Sequence, residues 1–158
     1  MMRIRPTQPE DAEALLRLAG AEPLFSEEEA ATVAELAEAY LEQDDHDDYF
    51  FLSAVEDGQL LGFASYGPTP LTQGTYDLYW IAVAAEAKGQ GIGRRLMAQV
   101  EDDVRHLGGR LIVLDTAGRA EYAPTRAFYH RLGYTHAATV PDFYAPGDDL
   151  IIFTRTLI

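Results

Sequence analysis

Three glycines at alternate positions, Gly89, Gly91 and Gly93, follow an apolar run that ends at Val83 and precede a helical pattern that begins at Ile92. Residue types in this order can hold an anion. Glycine lets backbone N–H groups approach a ligand with no Cβ in the way. The first turn of a helix offers unpaired N–H groups at the positive end of its dipole. The stretch therefore reads as a diphosphate cradle. Its contacts are expected from the amides of Gln90, Gly91, Ile92, Gly93 and Arg94, with charge added by Lys88 or Arg94. A tight strand–helix turn without a ligand is the plainer alternative, and three glycines in five residues argue against it. The spacing differs from the G-x-G-x-x-G of dinucleotide folds and lacks the Gly-Lys-Ser/Thr of mononucleotide phosphate loops.

The cradle needs a strand before it and a helix after it, and the chain supplies both. Thr75 to Val83 reads as a long strand. Ile92, Leu96, Val100, Val104 and Leu107 lie on one face of a helix stopped by Gly108-Gly109. Arg110 to Asp115 reads as a buried strand, parallel to the one before the cradle. Upstream, Met2 to Arg5 is a short strand and Pro9 opens a helix that Gly20 ends. Ser26 to Glu29 forms a capping box for a second helix. Tyr49 to Val55 and Gln59 to Tyr66 form a hairpin about Asp57-Gly58. A short helix with Pro124 in its first turn closes at Gly133. Tyr134 to Val140 and Leu150 to Leu157 then form a strand pair linked through Pro141 to Asp149. The order β-α-α-β-β-β-α-β-α-β-β predicts an α+β sheet with helices on both faces.

At 158 residues the chain fits one domain, 1–158. The absence of cysteine excludes disulfides, thiolate metal sites and a cysteine nucleophile. A formal charge of -14 argues against nucleic acid as a partner. No window has the apolarity of a membrane span and the N-terminus does not resemble a signal peptide, so no membrane partner and a cytoplasmic location are expected. The charge is unevenly spread. Residues 1–87 carry 3 basic and 18 acidic side chains, whereas residues 88–158 carry 9 and 8. An anionic ligand would prefer the second half and a cationic one the first.

Two motifs give the chain a resemblance. Lys88-Gly-Gln-Gly91-Ile-Gly93 after Ile81-Ala-Val83, together with Arg126-Ala-Phe128-Tyr129-His-Arg-Leu-Gly133-Tyr134, resembles the GNAT superfamily of acyl-CoA-dependent N-acetyltransferases. The likeness covers essentially the whole chain. It implies a mixed, mostly antiparallel sheet of about six to seven strands, and acetyl-CoA as cosubstrate without a metal. Lys88 stands where the family usually has Arg or Gln. The Asn often found near the start of the second motif is absent from Tyr122-Ala-Pro-Thr125. Phe143-Tyr144-Ala-Pro-Gly147-Asp148-Asp149 is modestly similar to a segment of the ribosomal-protein N-terminal alanine acetyltransferases. A Pro-Gly turn with aromatic flanks explains it equally well.

The resemblance assigns roles. Main-chain groups of Trp80 to Val83 would receive the pantetheine arm as an added strand, and an N–H of Ile81, Ala82 or Val83 would face the oxyanion. Arg119 or Arg126 would reach the 3′-phosphate. Tyr129, aligned with the family tyrosine, would serve the leaving thiolate as an acid; packing beside Phe128 is the structural alternative. Asp115 is the first candidate for the base, with a cap or turn role as its alternative; Asp77 and Glu86 stand behind it. His106, His130 and His136 have no pairing that suggests a metal or a triad. The implied activity is acetyl transfer to a primary amine, either a small amine or a peptide N-terminus. Rivals are a non-catalytic acyl-CoA sensor and an interaction platform that binds no CoA. The family often forms homodimers.

Overall fold

The computed structural model describes residues 1–157. Seven strands form one sheet: β1 (Arg3–Pro6), β2 (Phe50–Glu56), β3 (Gln59–Pro68), β4 (Thr75–Val83), β5 (Leu111–Ala117), β6 (Thr135–Ala145) and β7 (Asp148–Thr156). Their spatial order is β1-β2-β3-β4-β5-β7-β6. Only β4 and β5 run parallel; the other neighbours are antiparallel. Four helices, α1 (Ala12–Ala21), α2 (Glu27–Leu41), α3 (Ile92–His106) and α4 (Ala123–Arg131), cover it. The expected α+β class, strand number and mixed sheet are all present.

Local chemistry explains the elements. Asp57 and Gly58 both take positive φ, 50° and 76°, the conformation of a two-residue hairpin turn whose twist matches the strands it joins. At the start of α2, Glu29 N–H donates to Ser26 Oγ (3.0 Å) and Ser26 N–H donates to Glu29 Oε1 (3.2 Å), the expected capping box. On α3, Leu96, Val100 and Val104 are fully buried and pack with Leu52, Ala64 and Ile112 in one core. On the other face Leu15 of α1 and Val33 of α2 pack with Phe51 and Phe63. Helices therefore bury apolar stripes on both faces of the sheet.

The feature that matters for function lies between β4 and β5. Their pairing runs from Thr75↔Leu111 to Leu78↔Leu114 and stops. Across β3, Ser65 opposes Trp80 but Tyr66 opposes Leu78, so Tyr79 is an extra, bulged residue. A bulge bends its strand and sharpens the local twist, and it falls where β4 leaves β5. Beyond that point β4 follows β3 while β5 follows β7 through Asp115↔Ile152 to Ala117↔Leu150. The two parallel strands form a fork.

Four boundaries differ from the sequence reading. Gly20 lies inside α1, which runs on to Ala21 because Leu15 and Ala19 anchor the helix in the core. Leu107 is not on the buried face of α3; it caps the helix and is 50% exposed. Asp115 does not end its strand, since β5 continues to Ala117 against β7. Most of the expected linker Pro141 to Asp149 is strand, with the turn confined to Pro146-Gly147. Every residue of β6 is exposed at the sheet edge, so no buried alternation marked its length.

Candidate active site

The cradle forms where β4 ends. Ala84 N–H donates to Leu61 O (2.8 Å), a short 3-10 turn spans Ala85–Ala87, and the chain enters the glycine loop. Gly89 and Gly91 have φ of 83° and 80°, left-handed conformations that a side chain would strain. Gly91 is the N-cap of α3 and offers no capping side chain. The helix ladder begins with Arg95 N–H to Gly91 O (3.1 Å), which leaves the earlier amides of α3 without intrahelical acceptors. The first turn of α3 holds no acid and instead carries Arg94 and Arg95. Cations at the positive end of a helix are unfavourable unless an anion sits there. A Cβ on Gly93 would come within 3.3 Å of Phe128 Cζ, so this glycine also lets α4 pack against the cradle.

One cavity of about 830 Å³ runs from the cradle into the β4–β5 fork. Its walls include the 81–83 segment of β4, the cradle residues Lys88, Gly89 and 91–94, and both Asp115 and Tyr129. The structure thus gathers most of the predicted site residues around one space. Gln90 and Glu86 are exposed and do not wall it. Asp77 lines a small neighbouring hollow of about 240 Å³ that Asp115 shares. His106, His130 and His136 are exposed. Among the described residues no group of three or more His, Asp or Glu side chains is placed to hold a metal. No helix among them is long and apolar enough to cross a membrane.

The two arginines expected to reach the 3′-phosphate, Arg119 and Arg126, are both engaged with groups of the chain itself. Arg126 does not line the cavity; its Nη1 donates to Ala117 O (2.7 Å) and Arg119 O (3.0 Å) and so satisfies carbonyls where β5 ends. Arg119 does line it, but pairs with Glu121 (2.8 Å) and Asp148 (2.9 Å) and lies over the Tyr122 ring. Arg131 was missed. It walls the cavity one helical turn after Phe128, a spacing that could have placed it on the cradle side of α4. Lys88 Nζ sits 3.8 Å from Glu22 Oε2 in the α1–α2 loop.

The chemistry-bearing groups have distinct environments. Tyr129 is 4% exposed, with its ring edge-on to Phe128 and Tyr134. Burial pushes its phenol well above the usual range, so it stays protonated at neutral pH. Asp115 faces the fork from β5. Desolvation, and then the charge of Asp77, raise its carboxyl above the ordinary aspartate value, although the side chain keeps contact with solvent. The opposite wall was not foreseen: Phe25 and Glu29 come from the loop and first turn leading into α2, and Tyr122 from the approach to α4. Tyr122 Oη donates to Leu24 O (2.8 Å) and ties that loop across the fork. From the sequence, Glu29 is visible only as half of a capping box.

The fold agrees with comparisons to known proteins. The family model described as "Acetyltransferase (GNAT) family" matches residues 13–134. A solved GNAT-family structure from Desulfovibrio desulfuricans is 43% identical, covers all of both chains and superposes with a TM-score of 0.92. A 5-NmdU N-acetyltransferase of Pseudomonas phage PaMx11 is 45% identical over 60 residues, and that match spans 38% of this chain and only 39% of the phage protein. Two structures at 22% identity share the fold, each with a TM-score of 0.79. They are the ribosomal-protein-S18-alanine N-acetyltransferase of Escherichia coli, covering 99% of this chain and 94% of its own, and a Salmonella typhimurium protein solved with its cofactor acetyl-CoA, covering 100% and 95%.

Proposed function

The chain belongs to the GNAT acetyltransferase family, and on that premise we propose that it is an acetyl-CoA-dependent N-acetyltransferase acting on a primary amine, a small amine or a peptide N-terminus. The observation that carries the reading is one continuous cavity joining a helix N-terminus to a strand fork, with Asp115 and Tyr129 in its walls. Two left-handed glycines and an uncapped helix start fit a diphosphate. The β4 edge released by the Tyr79 bulge fits an extended pantetheine arm.

The cosubstrate supplies an acetyl thioester: a C–N bond forms to the amine and the C–S bond breaks. The residues of the chain do the rest. Amides of Gly89 to Arg94, aided by Lys88, Arg94 and Arg131, hold the phosphates. Amides of Ile81 to Val83 orient the arm and meet charge on the carbonyl oxygen. Asp115 takes the proton that the amine nitrogen sheds as it attacks, and its raised carboxyl pKa suits that task. Tyr129, protonated at neutral pH, donates to the departing sulfur. With no cysteine in the chain, transfer goes directly to the amine in a ternary complex.

Calorimetry with CoA, followed by mass-spectrometric readout of acetyl transfer to an amine and peptide panel, tests the reading. CoA binding with transfer to at least one amine is expected. Binding without transfer to any amine would leave a non-catalytic acyl-CoA sensor, and no binding at all would refute both.

A further inference from the structure

Charge in the cavity is unevenly compensated. At the cradle end Lys88 has Glu22 within 3.8 Å, and Arg94 and Arg131 add positive charge. At the fork end Arg119 is already neutralised by Glu121 and Asp148. Glu29 and Asp115 wall this same end, and neither has an ion-pair partner among the described residues. Both act on one phenol: Tyr144 is pushed up by burial, then by Asp115, Tyr122 and Glu29. Phe25, Tyr79, Trp80 and Tyr122 also line the cavity. The Tyr122 ring already carries a cation, the Arg119 guanidinium at 4.7 Å.

We propose that the acceptor amine carries a second positive charge and that Glu29 selects it. The inference rests on the N-acetyltransferase reading and specifies its substrate class: dicationic amines, in preference to monoamines of equal length. Two carboxylates without ion-pair partners, both solvent-exposed at the mouth of an aromatic-lined cavity, attract ammonium groups and repel carboxylates and phosphates, most strongly at low ionic strength. Asp115 is committed to the reacting nitrogen, so the second cation falls to Glu29. Capping does not account for the charge of Glu29. The box uses Glu29 Oε1 alone, glutamine fills that role equally, and Glu27 and Glu28 already place charge at the start of α2.

The test compares acetyl transfer to cadaverine and to pentylamine at low ionic strength. The wild type should favour cadaverine in kcat/KM by about tenfold or more, a preference that salt weakens. Glu29→Gln keeps the cap and should shrink that ratio about tenfold through KM rather than kcat. Calorimetry of cadaverine against the CoA-loaded protein gives a readout independent of turnover, with the same loss in Glu29→Gln. Equal kcat/KM for the two amines, a preference that survives Glu29→Gln, or no binding of cadaverine to the CoA-loaded wild type overturns the inference and leaves the acetyltransferase reading standing. A wild type that binds no CoA overturns that reading itself.

Discussion

Asp77 and Asp115 stand on the same face of adjacent parallel strands as diagonal neighbours, because Asp77 pairs with Val113, two residues before Asp115. Both residues line a small hollow at the fork, and Asp77 accepts a hydrogen bond from Thr69 Oγ1 (2.9 Å). The negative charge of Asp77 makes ionisation of Asp115 harder, on top of desolvation. The bulge at Tyr79 lies two residues beyond Asp77, so one irregularity makes room for a ligand beside the candidate base, which stays solvent-exposed.

That relationship fixes the sign of the pH dependence. Asp115 accepts a proton only when ionised, so kcat/KM should rise with pH through an acid limb above the ordinary aspartate range. Asp77→Asn removes the like charge, favours the ionised form of Asp115 and should move the limb to lower pH. Asp115→Asn should abolish the limb and lower kcat by about a hundredfold or more. Stability should move the other way. A carboxyl raised in the folded state favours folding at low pH, and that contribution is lost as pH rises through its folded pKa. Asp115→Asn should therefore melt higher than wild type at neutral pH. A pH–rate profile and a pair of melting curves check both halves.

The cradle makes a prediction about binding alone. Gly91→Asp should weaken CoA binding by at least tenfold, because a carboxylate meets the diphosphate at the helix start. Strain at a φ of 80° would also weaken it, and Gly91→Asn separates the two, since asparagine tolerates the left-handed region without charge. Calorimetry should find the asparagine variant between wild type and aspartate. Equal affinity for all three would remove the diphosphate from this loop.

Tyr129→Phe tests the acid. The hydroxyl is lost while the ring keeps its contacts with Phe128, Tyr134 and Phe153. Turnover should fall about a hundredfold with little change in the affinity for acetyl-CoA, because the donor acts on charge that develops only as the thiolate leaves. A wild-type rate would reduce Tyr129 to a core aromatic.

The legible parts of this fold were those with local causes. The Asp57-Gly58 hairpin, the Ser26–Glu29 box and the stripe Ile92, Leu96, Val100, Val104 each follow from neighbouring residues, and all three stand in the structure. The glycine spacing located the left-handed loop before α3 in the same way. What escaped were relationships across the sheet. The register shift that extrudes Tyr79 depends on β3, and nothing within Thr75–Val83 announces it. The length of β6 depends on pairing with β7 at a solvent-facing edge, where no apolar alternation is required. The sequence could not show that Arg126 Nη1 donates to the carbonyls of Ala117 and Arg119, because that depends on where β5 ends. Glu29 satisfied its local role so well that its place in the cavity wall went unread.

The final prediction concerns what holds Tyr129 in place. Tyr134 N–H donates to Tyr129 O (3.0 Å), and the two rings meet at 5.8 Å. The Tyr134 hydroxyl donates to Glu101 Oε2 (2.8 Å), and Arg155 Nη1 donates to the other oxygen of that carboxylate (2.9 Å). Glu101 is 7% exposed, and Arg155 is its ion-pair partner. Arg155→Met keeps much of the side-chain packing but strands the carboxylate, at a cost of about 3–5 kcal/mol, or a drop in melting temperature of roughly 6–20 °C for a domain of this size. Glu101→Gln together with Arg155→Met should recover much of that loss, since no buried charge then lacks a partner. Because Tyr134 is the link from this network to Tyr129, the single variant should also lose turnover at temperatures where it remains folded, and the double variant should regain it. Thermal melts and steady-state rates on both variants decide whether the network only stabilises the domain or also positions the acid.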